Sequence, residues 1–237
     1  MRLFEHPDFE QAVLRATEHF RSQGLRPAII EKDYYVTEAL RIIAAMAGDK
    51  IIFKGGTSLS KGWNPIQRFS EDIDIFLDPL AFQPELRRKG NDRELKNLRD
   101  DVAEHPALTY VAEESQTIGG FGRNDRFSYV QRFGGPGEVT NRVLLEAGAA
   151  SGREPTMIVS LRSYLGQFLE EMGTSLGAGD EGWGRSRCVC CTFGGRSSKR
   201  CSRFTAKSNC SNAAVNRLAA MLDIITICIN CRRSPTC

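Results

Sequence analysis

The stretch "IIFKGGTSLSKGWNPIQRFSEDIDIF", residues 51–76, decides how this chain reads. A hydrophobic run breaks at the pair Gly55-Gly56, Thr57 and Ser58 follow, and further on Asp72 and Asp74 alternate with Ile73 and Ile75. A strand that runs into two glycines and two hydroxyl residues can hand over to a helix, with Thr57 or Ser58 as its N-cap. Glycine has no Cβ, so the backbone N–H groups and the positive end of such a helix can come close to phosphate oxygens. The hydroxyls of Thr57 and Ser58 add donors. A tight connection with no ligand would produce the same string, and the Gly-x4-Gly-Lys-Ser/Thr spacing of a P-loop is absent.

In "SEDIDIF" a strand alternates sides at every residue, so Ile73, Ile75 and Leu77 face one way and Asp72 and Asp74 the other. Two neighbouring carboxylates repel each other, and covering them is costly unless a cation sits between them. Mg²⁺ suits the position, being a hard ion that takes carboxylate oxygens together with substrate phosphates. An edge strand whose aspartates face water is the competing reading. A phosphate-cradling turn and a metal-binding aspartate pair together describe a site for a nucleoside triphosphate. The chemistry would be in-line attack by an acceptor hydroxyl or phosphate on the α-phosphorus. Glu146, in the strand pattern "RVLLEAG" and on the opposite side from Val143 and Leu145, is the candidate third carboxylate.

Outward from this stretch, Pro7 to Phe20 and Arg26 to Ala47 carry apolar residues at helical spacing, with Gly24 and Gly48 as stop signals. A short strand is expected at Lys50 to Phe53. Glu31, Lys32 and Asp33 read as a solvated helix face. Gln83 to Glu104 reads as a charged surface helix. Strands are expected at Leu108 to Glu113, Arg126 to Phe133 and Arg142 to Ala147, with turns at Gly119-Gly120 and Gly134-Gly135, and a last helix at Ser160 to Met172. This order predicts an α/β (α+β) fold: a mixed sheet with helices packed on it.

The 237 residues suffice for one sizeable domain. No run approaches the length of a membrane span and "MRLFEHPDFEQ" lacks the pattern of a secretory signal, so a cytoplasmic protein is expected. The formal net charge of +3 hides a division: residues 1–181 carry 22 Lys+Arg against 28 Asp+Glu, and residues 182–237 carry 10 against 1. All 8 cysteines also fall in the last fifty residues. The basic pI therefore belongs to the tail, and carries little weight as a sign of nucleic-acid binding by the body.

"FKGGTSLSKGW" followed by "IQRFSEDIDI" resembles the AbiEii/AbiGii family, toxin components of abortive-infection and type IV toxin–antitoxin systems with a nucleotidyltransferase fold. Gly55, Gly56, Thr57, Ser58, Lys61, Arg68, Ser70, Asp72 and Asp74 fall on the family pattern, and "IEKDYYVTEAL", Ile30 to Leu40, is similar to its upstream helix. The similarity runs from about residue 1 to about residue 172. It implies an NTP substrate and Mg²⁺, an acceptor that in some members is the 3′ end of tRNA, and a cognate antitoxin. It also implies nucleotide-binding roles for Gly55, Gly56, Thr57, Ser58, Lys61, Arg68 and Ser70, and catalytic or metal-binding roles for Asp72 and Asp74.

Residues 173–237 depart from that pattern. The family's later motifs, T-F-V-E-K with its functional lysine and R-H-Y-Y-D-L-Y with its functional aspartate, are replaced by "CTFGGRSSKRC", Cys191 to Cys201, and "LDIITICINC", Leu222 to Cys231. A gene for L-H-F-R-R-T-F-V-E-K-M, read one nucleotide late, yields the first string, and the same offset turns R-H-Y-Y-D-L-Y-Q-L into the end of the second. The expectation is a nucleotidyltransferase-like domain at 1–172 and a frameshifted, poorly ordered tail at 173–237, the frame changing between about Gly173 and Cys188. Without the later motifs, the expectation is nucleotide binding at best weak and a chain that is inactive or impaired in transfer. The alternative is a non-enzymatic nucleic-acid- or zinc-binding protein built on that basic, Cys-rich tail; Cys228-x2-Cys231 with Cys188, Cys190 or Cys191 could hold zinc, but no tail histidine supports it.

Overall fold

In the computed structural model, β1 (Ile51–Lys54) and β2 (Asp72–Leu77) run antiparallel at the middle of one mixed sheet. The structure describes residues 2–63, 72–134, 139–150, 155–173 and 186–191. All of them lie in one compact unit of the chain, Met1–Arg196. Before the sheet come α1 (Phe9–His19) and α2 (Pro27–Ala47); α3 (Gly55–Trp63) leaves β1 directly, and α4 (Arg88–Ala103) follows β2. The chain then forms β3 (Thr109–Tyr110), β4 (Gln116–Ile118), β5 (Gly122–Ser128), β6 (Arg142–Gly148), β7 (Thr156–Leu161), α5 (Tyr164–Glu171) and β8 (Ser186–Cys191).

The sheet order is β3-β5-β6-β2-β1-β8-β7, with β4 also paired to β5. β2 pairs parallel to β6 and β1 parallel to β8; the other pairings are antiparallel. This is the mixed sheet with flanking helices expected from the element order. Of residues 174–237 only β8 is described; the strings at 192–237, including the proposed reading-frame signatures beyond Cys191, lie outside the described residues.

Alternation sets the two faces. In β5 and β6, Arg123, Asp125, Phe127, Val143, Leu145 and Ala147 are buried, and the residues between them are half-buried. Ile73, Ile75 and Leu77 of β2 join the same core as Phe9, Val13, Tyr34, Leu40 and Ile43 of the first two helices. Asp72 and Asp74 consequently stand on the less covered face. Gly24 and Gly48 end the helical segments with φ of 70° and 57°, a conformation that favours glycine.

The expected solvated face of α2 is not found. Glu31, Lys32, Asp33, Thr37 and Glu38 are all buried, because α2 packs against α1, α4, α5 and the sheet and has little surface left for water. Glu31 and Asp33 each hold a neighbouring segment, and Glu38 pairs within α2. Glu31 accepts the backbone N–H groups of Arg132 and Phe133 at 2.9 and 3.0 Å. Burial raises its pKa, and those two N–H groups pull it partly back. Asp33 accepts the N–H of Tyr164, at the start of α5, at 2.8 Å, and pairs with Lys61 of α3. Glu38 takes Arg41 at 3.0 Å.

Short strands escaped the periodicity. β4, β7 and β8 were not expected, and the strand placed at Arg126 to Phe133 begins earlier, at Gly122, beyond the Gly119-Gly120 turn whose φ values are 59° and 72°. The last helix starts at Tyr164, not Ser160, because Ser163 caps it by accepting the N–H of Gly166 at 2.9 Å.

Candidate active site

The glycine bend and the acidic strand meet in space. Register places Lys54 opposite Asp74, and Asp74 opposite Glu146 on β6. Gly55 sits at the end of β1 with φ of 78°, and a Cβ built there would lie 2.0 Å from Oδ2 of Asp74. Only glycine fits, both for the positive φ and for the carboxylate pressed against it. The helix begins at Gly55 itself, earlier than the expected N-cap at Thr57 or Ser58. Its first N–H groups have no partner within the helix by construction, and they are presented at the exposed Gly56.

The hydroxyls do different work from that expected. Thr57 Oγ1 donates to the backbone carbonyl of Asp72, and Ser58 Oγ to that of Phe53 at 3.1 Å. Both residues are 1% exposed. They tie the first turn of α3 to the two central strands, so they hold the bend against Asp72 rather than donate outward. Lys61 is likewise engaged: its ammonium pairs with Asp33 and donates to Thr37 Oγ1 at 2.8 Å, with its side chain 8% exposed. That position anchors α3 to α2 and leaves no charge to offer a phosphate. Arg68 and Ser70 lie outside the described residues.

The three carboxylates divide into a pair and a neighbour. Asp74 and Glu146 share a hydrogen bond, and Asp74 is pushed up to about 6, first by burial, then by the Glu146 charge and by that bond. Lys54 opposes the rise and Asp72 adds to it. Asp72 is exposed on the same face of β2, its side chain close enough for its charge to be felt at Asp74. Lys54 was missed by sequence reasoning; its place immediately before Gly55, one register step from Asp74, is the signal that could have found it.

Among the described residues no three His, Cys, Asp or Glu side chains converge to hold a metal by themselves. Mg²⁺ sites of the nucleotide type need only one or two carboxylates, the remaining ligands coming from phosphates and water. Asp72 and Asp74, like charges of hard oxygen on one face beside a bend built from glycine, fit that description.

The strain between the acids gives a pH signature. Because the fold prefers protonated Asp74, this group contributes stability that is present below its ordinary value of 3.8 and lost as pH rises through about 6. Discounted for a partly exposed group, the loss at neutral pH is on the order of 1 kcal/mol. Asp74→Asn is therefore expected to raise Tm at pH 7.5 by about 2–4 °C and to change it little at pH 4.5, as read by calorimetry. An equal shift at both pH values would contradict the assignment.

A family profile described as nucleotidyl transferase AbiEii toxin, type IV TA system, matches residues 39–177, more than half of the chain and all of β1, α3, β2 and β6. Among solved structures, MenT4, a nucleotidyltransferase toxin from Mycobacterium tuberculosis, is similar at 15% identity with a TM-score of 0.45. The match covers 76% of this chain and 54% of that one, so this chain spans about half the length of that protein. No protein of curated function matches significantly. Among the described residues no helix is long and apolar enough to cross a membrane. On the profile match, which contains the glycine bend and all three carboxylates, the chain belongs to the AbiEii nucleotidyl transferase toxin family.

Proposed function

We propose that this protein transfers a nucleotide from an NTP to an acceptor, with the reaction centred on Asp72, Asp74 and Glu146. The observation that carries the reading is the contact between the Gly55 bend and the Asp74 carboxylate. It puts the glycine bend and the acidic pair side by side. The triphosphate lies over Gly55 and Gly56, against the N–H groups of the first turn of α3. Lys54 sets a positive charge beside the acids. Asp72 and Asp74 hold Mg²⁺, which when bound polarises the α-phosphate and offsets phosphate charge.

Glu146 takes the proton of the attacking hydroxyl as its oxygen bonds to the α-phosphorus and the bond to pyrophosphate breaks. Family membership supports the rest of the reading: tRNA as acceptor, a cognate antitoxin as partner and a cytoplasmic setting. It also supports the view that residues 173–237 are translated out of frame, which the genomic DNA over codons 173–188 decides.

Incubation of the purified chain with each α-labelled NTP at millimolar concentration, Mg²⁺ and total tRNA tests the function. Label in tRNA that disappears with EDTA is expected. Incorporation indifferent to EDTA would remove the divalent ion from the account.

A further inference from the structure

The first turn of α3 grips both aspartates, each in a different way. Gly55 lies against the Asp74 carboxylate, where a Cβ would come within 2.0 Å of Oδ2. Two residues on, Thr57 Oγ1 donates to the backbone carbonyl of Asp72. The ladder between β1 and β2 explains why a side chain is used there. Its last pair is Lys54 with Asp74, after which the chain turns into α3, so Asp72 runs two residues past the end of β1. β6 pairs with Asp72 through Leu144. Thr57 adds the tie to the chain that continues β1, where the ladder between the two strands has ended.

The hydroxyl is committed to this bond. Thr57 is 1% exposed, whereas Asp72, the residue it holds, is exposed. A threonine hydroxyl has one hydrogen to donate, and here it goes to the Asp72 carbonyl and not towards a phosphate. That differs from the nucleotide-binding role the family resemblance implies for Thr57. Asp72 is also the first residue of β2, and strand ends are where backbone hydrogen bonds open most readily. A carboxylate at such an end keeps its place only as well as its backbone does.

We propose that Thr57 is a positioning residue: its bond to the Asp72 carbonyl fixes the start of β2, so that the Asp72 carboxylate stays beside Asp74 and the two offer their oxygens to one divalent cation. This rests on the nucleotidyl-transfer reading above. Thr57 acts through Asp72 and does not itself bind the nucleotide.

Fluorescence anisotropy titrations of the full chain with mant-ATP, in Mg²⁺ and in EDTA, test it, because the aspartates contribute to the first through the metal and not to the second. Mg²⁺ is expected to tighten binding about tenfold in the wild type and in Thr57→Ser, which keeps the hydroxyl; that is the scale of one charged hydrogen-bonding partner. In Thr57→Val the gain is expected to fall to about twofold or less, with affinity in EDTA within about twofold of the wild type. Thr57→Ala removes the same hydroxyl without the bulk of valine and takes its place should calorimetry show that Thr57→Val does not fold. A Mg²⁺ gain kept in full by the hydroxyl-free variant, with only Tm lowered, makes Thr57 a structural tether and overturns the proposal. So does a loss of affinity in EDTA that equals the loss in Mg²⁺, which assigns Thr57 to the triphosphate. Wild-type binding of mant-ATP that is absent or indifferent to Mg²⁺, or a Mg²⁺ gain that survives Asp72→Ala with Asp74→Ala, brings down the transfer reading itself and the Thr57 role with it, so the two failures are told apart.

Discussion

Replacing Asp72 and Asp74 together by alanine is expected to lower transfer of label from NTP to tRNA by at least about 1,000-fold, which corresponds to losing several kcal/mol of charge stabilisation at the reacting phosphate. The same variant is expected to melt no lower than the wild type at neutral pH. The reason lies in the geometry: Asp74 is held against Glu146 and close to Asp72, and its raised pKa records that the fold tolerates these charges rather than gains from them. Acids retained for packing would behave in the opposite way, costing stability when removed. A variant with undiminished transfer, or one that unfolds while its transfer per folded molecule stays intact, would contradict the account. Function lost with stability kept is the signature of groups held together for chemistry.

Asp33→Ala is expected to cost about 3–5 kcal/mol, the range for breaking a buried ion pair by removing one partner. In thermal unfolding this appears as a fall in Tm of roughly 10 °C. Asp33 is 1% exposed; one oxygen holds the Lys61 ammonium and the other accepts the N–H that opens α5. Its loss strands a buried ammonium and leaves the start of α5 without an acceptor. Adding Lys61→Met removes the stranded charge, so the double variant is expected to recover part of the loss. A change of less than about 1 kcal/mol would mean that the pair behaves like a solvated surface bridge. The consequence for function is indirect: Lys61 fixes α3 to α2, and α3 carries the glycine bend.

This pair also shows what periodicity could and could not reveal. The long helices α1 and α2 were legible because their apolar residues recur at helical spacing, and α4 because its stretch is rich in Arg, Lys, Glu and Leu. β2 was legible because Ile73 and Ile75 alternate with aspartates, and β6 because Val143 and Leu145 fall on one side of a strand pattern with Glu146 on the other. The acidic pair and the glycine bend stood out for the same reason: an aspartate flanked by isoleucines breaks the economy of a core strand. The burial of Glu31, Lys32 and Asp33 was not legible, because it depends on what covers α2 from α1, α4, α5 and the sheet. Their charged character argued for water, and the partners Arg132 and Phe133 of Glu31, Thr140 of Lys32, and Tyr164 and Lys61 of Asp33, each at least 28 residues away, explain why they are inside.

The same non-locality hid β7 and β8, whose pairing joins Thr156–Leu161 to Ser186–Cys191. It also changed the reading of three polar residues in the key stretch. Thr57, Ser58 and Lys61 match a phosphate-binding pattern by type, yet each finds a partner within the fold first. Lys54 carried no motif and was brought to the carboxylates only by strand register.

The most direct test of the central claim is a crystal structure of the chain with a non-hydrolysable nucleoside triphosphate and Mg²⁺. The account predicts triphosphate oxygens against the backbone N–H groups at Gly55 and Gly56, with the cation shared between those oxygens and the carboxylates of Asp72 and Asp74. A nucleotide bound elsewhere, with both aspartates left without a metal ion, would contradict it.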